Sequence, residues 1–399
     1  MSQPLFILLM FGLAACSSLD PTLSSDPWLR GEKKPTRAIV LLANNLDPDS
    51  TDFTVLPNFQ RLRRHCLNFN QAWLGHLFPT PSVSSMVLTT GLNPKHLPWD
   101  DIQFFDKSGI LGKKNKAHDI SQLSSSELSK ILSGVRSSIL NKIPGSPDSK
   151  LVIAPKTDEA FSLAIPTTQS RILSGTPAPS QSPEAWVTDG VLSFFNMEPH
   201  WKLVLAAFGN RGSQFASLDE QLGRILDYLE RKQLIRETAI ILTSHPNHVP
   251  EKVKRFYLAK KDLKYILKFT SQLKNKPHIF EIYYKKEISG RFHYIRTFRS
   301  PNVEGSRLEW TKNQMPTLLN SLANEHSAEV LAFLDEAPQK IPLLIWAPNL
   351  RADNPVIKNQ MEQTRVQFVD IHPILLETLG LIPDPSLDGS SLGINSLIY

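Results

Sequence analysis

The stretch Glu237–Pro250, ETAIILTSHPNHVP, frames the reading of the whole chain. Ala239, Ile240, Ile241 and Leu242 are apolar and mostly β-prone, so the stretch opens as a strand buried on both faces. It then breaks into Thr243, Ser244, His245, Pro246, Asn247 and His248. In open α/β sheets, ligands bind outside the carboxyl ends of the strands. SHPNH therefore reads as a metal site, as the remains of one, or as a turn.

Outward from that strand, apolar runs alternate with helical periodicity. Upstream, SLDEQLGRILDYLERKQL has leucine and isoleucine at helical spacing, and WKLVLAAF before it reads as a buried strand. AIVLLA (Ala38 to Ala43), KLVIAP and IPLLIWAP read as further strands. Helices are expected over LPNFQRLRRH, PSVSSMVLTTG, SSSELSKILSGVRSSILNKI, SPEAWVTDGVLSFF and VDIHPILLETLGL. Pro81 stands near N1 of the second of these and Gly91 past its end, while Ser before Glu opens the third as a capping box. The prolines of 144–155 and 166–183 mark loops. This alternation predicts an α/β fold: a mostly parallel sheet with helices on both faces. Residues from about 250 to 310 differ. HIFEIYYKKEISGRFHYIRTF reads as two strands about a Ser-Gly turn, a small antiparallel β insertion.

The 399 residues are 41% apolar and 21% charged, which describes a globular chain and excludes a disordered one. The apolar run from Leu5 is too short to span a bilayer and ends in Leu13-Ala14-Ala15-Cys16. That ending resembles the lipobox of bacterial lipoproteins, where small residues fit a peptidase and the thiol accepts the lipid. The alternative is a plain secretory signal with a chance Cys; Met1 to Pro4 carries no Lys or Arg. The lipobox reading divides the chain into a signal peptide (1–15), a tether (16–35) and one domain (36–399). It puts the protein in the cell envelope, anchored through Cys16, with Ser17 resembling residues that send lipoproteins to an outer membrane. The other cysteine, Cys66, is expected as a small buried hydrophobe.

The net charge of +6 is uneven. Residues 251–300 hold 14 Lys and Arg against 4 Asp and Glu, net +10, which leaves −4 for the rest. Aromatic residues are interleaved there. Three readings follow: a solvated face over ordinary aromatic packing, a surface for anionic envelope components or a protein partner, or nucleic acid. The last suits an envelope protein least.

Four stretches together carry a family resemblance. LPNFQRLRRHCLNFNQAWLGHLFPTPSVSSMVLTTGLNP, SLDEQLGRILDYLERKQLIRETAIILTS, KIPLLIWAP and VDIHPILLETLGLIPDPSLDGSSL occur in the order of similar segments in the alkaline phosphatase superfamily. The sulfatase and nucleotide pyrophosphatase/phosphodiesterase branches are the most similar. The resemblance implies a two-metal hydrolase in which Asp and His hold zinc or another divalent metal, and a Thr, Ser or modified Cys attacks phosphorus or sulfur.

Carried over residue by residue, the resemblance meets neutral residues. Asn44 stands where the first strand of the family ends in a metal-binding Asp; the nearby Asp47 and Asp49 could substitute in principle but read as residues that shape the turn. Asn210 and Gln214 stand for an Asp and a His. His245 replaces the Asp of TSDHG, Pro246 its His and Asn247 its Gly. In the nucleophile slot, counting from either side gives Pro79 or Pro81, with Thr80 between; Ser82 and Ser84 are neighbouring hydroxyls, and Val83 stands where the family has a basic residue. His326 and His372 are candidates for the last metal ligand only by being histidines. Three expectations result. The first is a degenerate site, with no cofactor, in a protein that binds or scaffolds. The second is an active phosphate- or sulfate-ester hydrolase with Thr80 as nucleophile and a reduced zinc site from Asp47, Asp49, His245 and His248. An unrelated α/β binding protein is the third.

Overall fold

Strand β1 (Arg37–Ala43) is the axis of a seven-stranded sheet. A computed structural model describes residues 26–393 apart from 29, 32, 45, 50, 77–80, 98–102, 107–108, 113–115, 120–121, 133–137, 156–168, 210–214, 245–252, 257, 259–261, 275, 277–278, 301–313, 325–326 and 335–339. On one side of β1 lie β8 (Leu203–Phe208), β6 (Lys150–Pro155) and β7 (Arg171–Gly175), in that order. On the other lie β9 (Thr238–Thr243), β14 (Leu343–Trp346) and β2 (Leu67–Asn68). The five strands from β9 to β7 are parallel, and β14 joins the edge antiparallel to β9. Smaller pairings join β3 (Gln71–Trp73) to β15 (Arg365–Gln367) and β4 (Gln103–Asp106) to β5 (Lys116–Asp119).

Both faces of the central strands are buried, which is why they read as continuous apolar runs instead of alternating ones. Ala38, Val40 and Leu42 enter one core; Ile39, Leu41 and Ala43 enter the other. The first core is closed by α2 (Pro81–Thr90), α3 (Ser125–Leu132), α4 (Ile139–Lys142), α8 (Pro355–Gln363) and α9 (Ile371–Thr378). The second is closed by α1 (Pro57–His65), α5 (Pro183–Met197) and α6 (Phe215–Arg231). From Val83 to Thr90, α2 is buried all round, the pattern of a core helix and not a surface one.

The stretches PNF and LDEQLG meet in space. The N-terminus of α1 follows Leu56, which offers no side-chain cap. Asp219 of α6 supplies it instead, accepting from the backbone N–H of Asn58 (3.1 Å) and Phe59 (2.8 Å) and from Asn58 Nδ2 (3.0 Å). A carboxylate satisfies orphan donors and suits the positive end of the helix dipole. Gly223, one turn further along α6, has no room for a side chain: a Cβ there would lie 2.7 Å from the Asn58 side chain.

A second, four-stranded antiparallel sheet runs β10 (Val253–Phe256), β13 (Val330–Phe333), β11 (Glu281–Ile288) and β12 (Arg291–Arg299). The hairpin between β11 and β12 turns at Ser289 and Gly290, both with positive φ, as a tight two-residue turn requires. One face packs on α7 (Leu263–Leu273) and the other on residues 314–320.

Several expectations shift. The loop 166–183 contains β7, a short edge strand whose pairing with β6 outweighs its weak local signal. The expected single helix over SSSELSKILSGVRSSILNKI is α3 and α4, each with its own serine start; Ser124 and Glu127 form the expected capping box. The antiparallel unit includes a helix and takes β13 from beyond residue 310. At the end of the stretch expected as a tether, Trp28 is buried in the second core, stacked on His65 at 4.4 Å and bonded through Nε1 to Glu230.

Replacing Asp219 by alanine strands two backbone donors at a helix start. Asp219→Ala is expected to lower unfolding stability by about 2–3 kcal/mol. Urea titration measures it, and a loss under about 0.5 kcal/mol contradicts the cap.

Candidate functional site

The parallel strands β1, β8 and β9 end level with one another. Register pairs Ala43 with Phe208 and Leu42 with Thr243, so the chain leaves the sheet at Asn44, Gly209 and Ser244 along one edge. This is the carboxyl edge, where the strand order also reverses in sequence, the place at which open α/β sheets bind ligands.

Of the sequence candidates, Asn44 is placed there directly: it follows β1 and is fully buried. Thr243 and Ser244, at the end of β9, are buried too. Pro79, Thr80, Asn210, Gln214, His245, Pro246, Asn247, His248 and His326 lie outside the described residues, as do Cys16 and the whole of 1–25. Ser82 belongs to the first turn of α2, though its side chain lies outside the description. Val83 and Ser84 follow it, both buried.

Asp47 and Asp49 do not turn towards Asn44 as ligands. Asp47 Oδ1 accepts the backbone N–H of Asp49, the geometry of an Asx turn, and its carbonyl accepts from Thr51. Asp49 pairs with Lys340 at 2.9 Å and is largely exposed. Among the described residues, no three of His, Cys, Asp and Glu come together in a way that could hold a metal. Asn44 is neutral, and a dication needs anionic or imidazole donors. The described donors therefore do not fit a two-metal centre.

His372 is a packing residue. It lies in α9 against α2, with Nδ1 at 3.1 Å from the Leu88 carbonyl, and a Cβ on Gly91 would sit 3.0 Å from its ring. Burial pushes its pKa down to about 4. Asp370, two residues earlier, accepts from the backbone N–H of Gln367 and Ser390, and burial raises its pKa to about 6. Cys66 is buried, and desolvation drives its thiol pKa upward, so it is inert as expected.

The basic stretch 251–300 is partly neutralised from within. Lys285 pairs with the buried Glu329, and Arg296 and Arg299 flank Glu281. Several of its aromatic rings point inward: Phe256 packs edge-on to Phe269 at 5.0 Å, and Tyr283 to Phe333 at 5.6 Å. The buried Glu281 was missed in the sequence because a lone acid among many bases reads as surface. Among the described residues, no helix is long and apolar enough to cross a membrane.

This sheet with its two helical layers is similar in fold to solved proteins of the alkaline phosphatase type. Murine ectonucleotide pyrophosphatase/phosphodiesterase 5 superposes with a TM-score of 0.53 at 14% identity, over 91% of this chain and 100% of that one. The human protein of the same name gives 0.51 at 14%, over 91% and 100%. The wild-type alkaline phosphatase PafA gives 0.57 at 9%, over 92% and 100%. By sequence, no family model and no curated protein matches the chain. At such identities the likeness speaks for the fold alone.

The depressed pKa of His372 makes it a source of acid sensitivity. The folded state keeps this imidazole neutral between its ordinary value of 6.5 and about 4, while the unfolded chain takes up the proton. Its contribution is therefore present above pH 6.5 and lost as pH falls to about 4, by at most about 3 kcal/mol. Asp370 works the other way: its contribution is present below the ordinary 3.8 and lost as pH rises through about 6. Comparing His372→Gln with the parent isolates the histidine. The stability gap between them, read from urea midpoints, is expected to narrow from pH 7 to pH 4.5; a constant gap contradicts the assignment.

Proposed function

We propose that this chain is a lipid-anchored protein of the cell envelope in which the alkaline phosphatase-type fold serves binding or scaffolding, not ester hydrolysis. The observation that carries this reading is Asn44. It is the fully buried residue at the carboxyl end of the central strand, and it is an amide where the resemblance expects an aspartate. An amide keeps the shape of the carboxylate and removes the charge that a bound dication needs. The sequence adds Asn210, Gln214 and Pro246 in other ligand positions. Asp47 and Asp49, the carboxylates nearest in sequence, are engaged in a turn and an ion pair.

Anchoring rests on Leu13-Ala14-Ala15-Cys16, with Cys16 as the lipidated residue. The binding part is the basic antiparallel unit, whose surplus positive charge suits the anionic components of an envelope.

A second reading keeps hydrolysis. PTPS survives with Thr80, and a threonine-to-alanine form of the murine structural neighbour is described as inactive and in complex with AMP. In that reading Thr80 is the nucleophile and zinc or another divalent ion is held by rearranged ligands.

Metal content separates the two. The purified chain, loaded with excess zinc and manganese and freed of unbound metal, is expected to retain close to no ion by elemental mass spectrometry. One or two tightly held ions, with phosphate-ester turnover abolished by Thr80→Ala, would overturn the non-catalytic reading. Anchoring is tested apart from this: Cys16→Ser is expected to move the chain from the membrane fraction to the soluble one, and unchanged fractionation contradicts it.

A further inference from the structure

The hairpin β11–β12 carries a β-bulge. Ile282 pairs with Phe298, but Tyr283 pairs with Arg296, so Thr297 is an extra residue in β12. In a regular ladder, side chains three residues apart point to opposite faces. The bulge resets the alternation: Arg299 faces Glu281, Arg296 faces Tyr283, and both guanidinium groups come to the same side of the sheet.

That side is built around one buried carboxylate. Glu281 lies with Arg299 Nε at 2.8 Å and Arg296 Nη1 at 3.3 Å, and it accepts the phenol of Tyr283. Two guanidinium groups against one carboxylate leave a surplus positive charge. The Arg296 side chain is about half exposed (48%) and the Arg299 side chain less so (23%), while that of Glu281 is almost fully covered (1%). Glu281 thus positions the two arginines and leaves their outer N–H groups for something else.

Those groups line a cavity of about 750 Å³ between the hairpin and residues 314–320. Its remaining wall is mostly apolar or aromatic, with Tyr294, Met315 and Leu319, and Asn320 stands at its exposed rim. Tyr294 is held in place by a bond from its hydroxyl to the Ala328 carbonyl at 2.8 Å. The volume falls in the range of small-molecule sites, well above what a bare anion fills. Guanidinium forks match tetrahedral oxyanions, and apolar walls match a hydrocarbon or aromatic body.

We propose that the cavity between the β11–β12 hairpin and residues 314–320 binds a phosphate group carried on an apolar body, held by Arg296 and Arg299 as oriented by Glu281. This deepens the reading of the basic unit as the binding part of the protein. It is independent of the sheet edge: it stands whether or not that edge holds metal. Two sources share the chemistry, a membrane phospholipid headgroup and a soluble phosphate ester.

The test uses the full chain in detergent and calorimetric titration with two probes. Phenylphosphonate has a P–C bond that no ester hydrolase cleaves, so binding is read apart from turnover. Dihexanoyl phosphatidic acid, below its micellar concentration, represents the lipid source. Binding of at least one probe is expected, tighter than that of inorganic phosphate. A stronger response to the lipid identifies a headgroup as the source; a stronger response to phenylphosphonate identifies a soluble ester. Arg296→Gln, half-exposed and tolerant of change, is expected to weaken binding about tenfold or more. Asn320→Trp fills the rim without touching the ion pairs and is expected to weaken it similarly. Lys264→Gln and Lys286→Gln, basic residues outside the cavity wall, are expected to change it less than about twofold. Equal losses in all four variants would mean a diffuse basic surface and overturn the site. So would unchanged affinity in Arg296→Gln, or no binding of either probe.

Discussion

The burial of β1 on both faces governs the rest of the molecule. From Ala38 to Ala43 no residue is more than 1% exposed. A strand so placed cannot leave a backbone donor or acceptor to water, so β8 and β9 run alongside in register, and the Ala43 carbonyl accepts from Leu46 at the strand end. The apolar faces then demand a helical layer on each side. Polarity is exported to the strand ends, where the chain emerges at Asn44, Gly209 and Ser244. The location of the candidate site is thus a by-product of making the centre of the sheet dry.

The helical layers are tied to this sheet by a few polar contacts in otherwise apolar packing. Asp219 is the clearest. It reaches from α6 to the start of α1 and answers the donors that Leu56 and Pro57 leave open. Trp28 adds a strap from the N-terminal side, with His65, Glu230 and Trp346 as partners. On the opposite face His372 fills the space beside Gly91, where a residue with a side chain would collide with the ring. These contacts fall in the stretches LPNF, DEQLG and VDIHP, which carry the sequence resemblance. Each stretch carries a residue that this packing uses: Asn58 and Phe59, Asp219 and Gly223, and His372.

The antiparallel unit follows different rules. Its sheet is short, half of it is solvated, and its charges are only partly paired. The bulge at Thr297 turns what would be two unrelated surface arginines into a convergent pair. No property of the linear sequence marks that residue as extra; the surplus appears only when β12 is laid against β11.

The central strands, most of the helices and the class of the fold were legible in the linear chain, because long apolar runs and helical periodicity are local records of burial. The linear chain also shows that Asn44, Asn210, Gln214 and Pro246, the residues that the resemblance sets in ligand positions, carry no charge, since donor chemistry is a property of residue type. The remaining features arise in three dimensions. The tertiary structure set β14 antiparallel between β9 and β2 and drew β7 into the sheet from a proline-rich stretch, because strand pairing depends on a partner far along the chain. It paired Asp49 with Lys340, and it gathered Glu281, Arg296 and Arg299 about one cavity. Those outcomes rest on register and on the approach of distant segments, which a one-dimensional pattern does not encode.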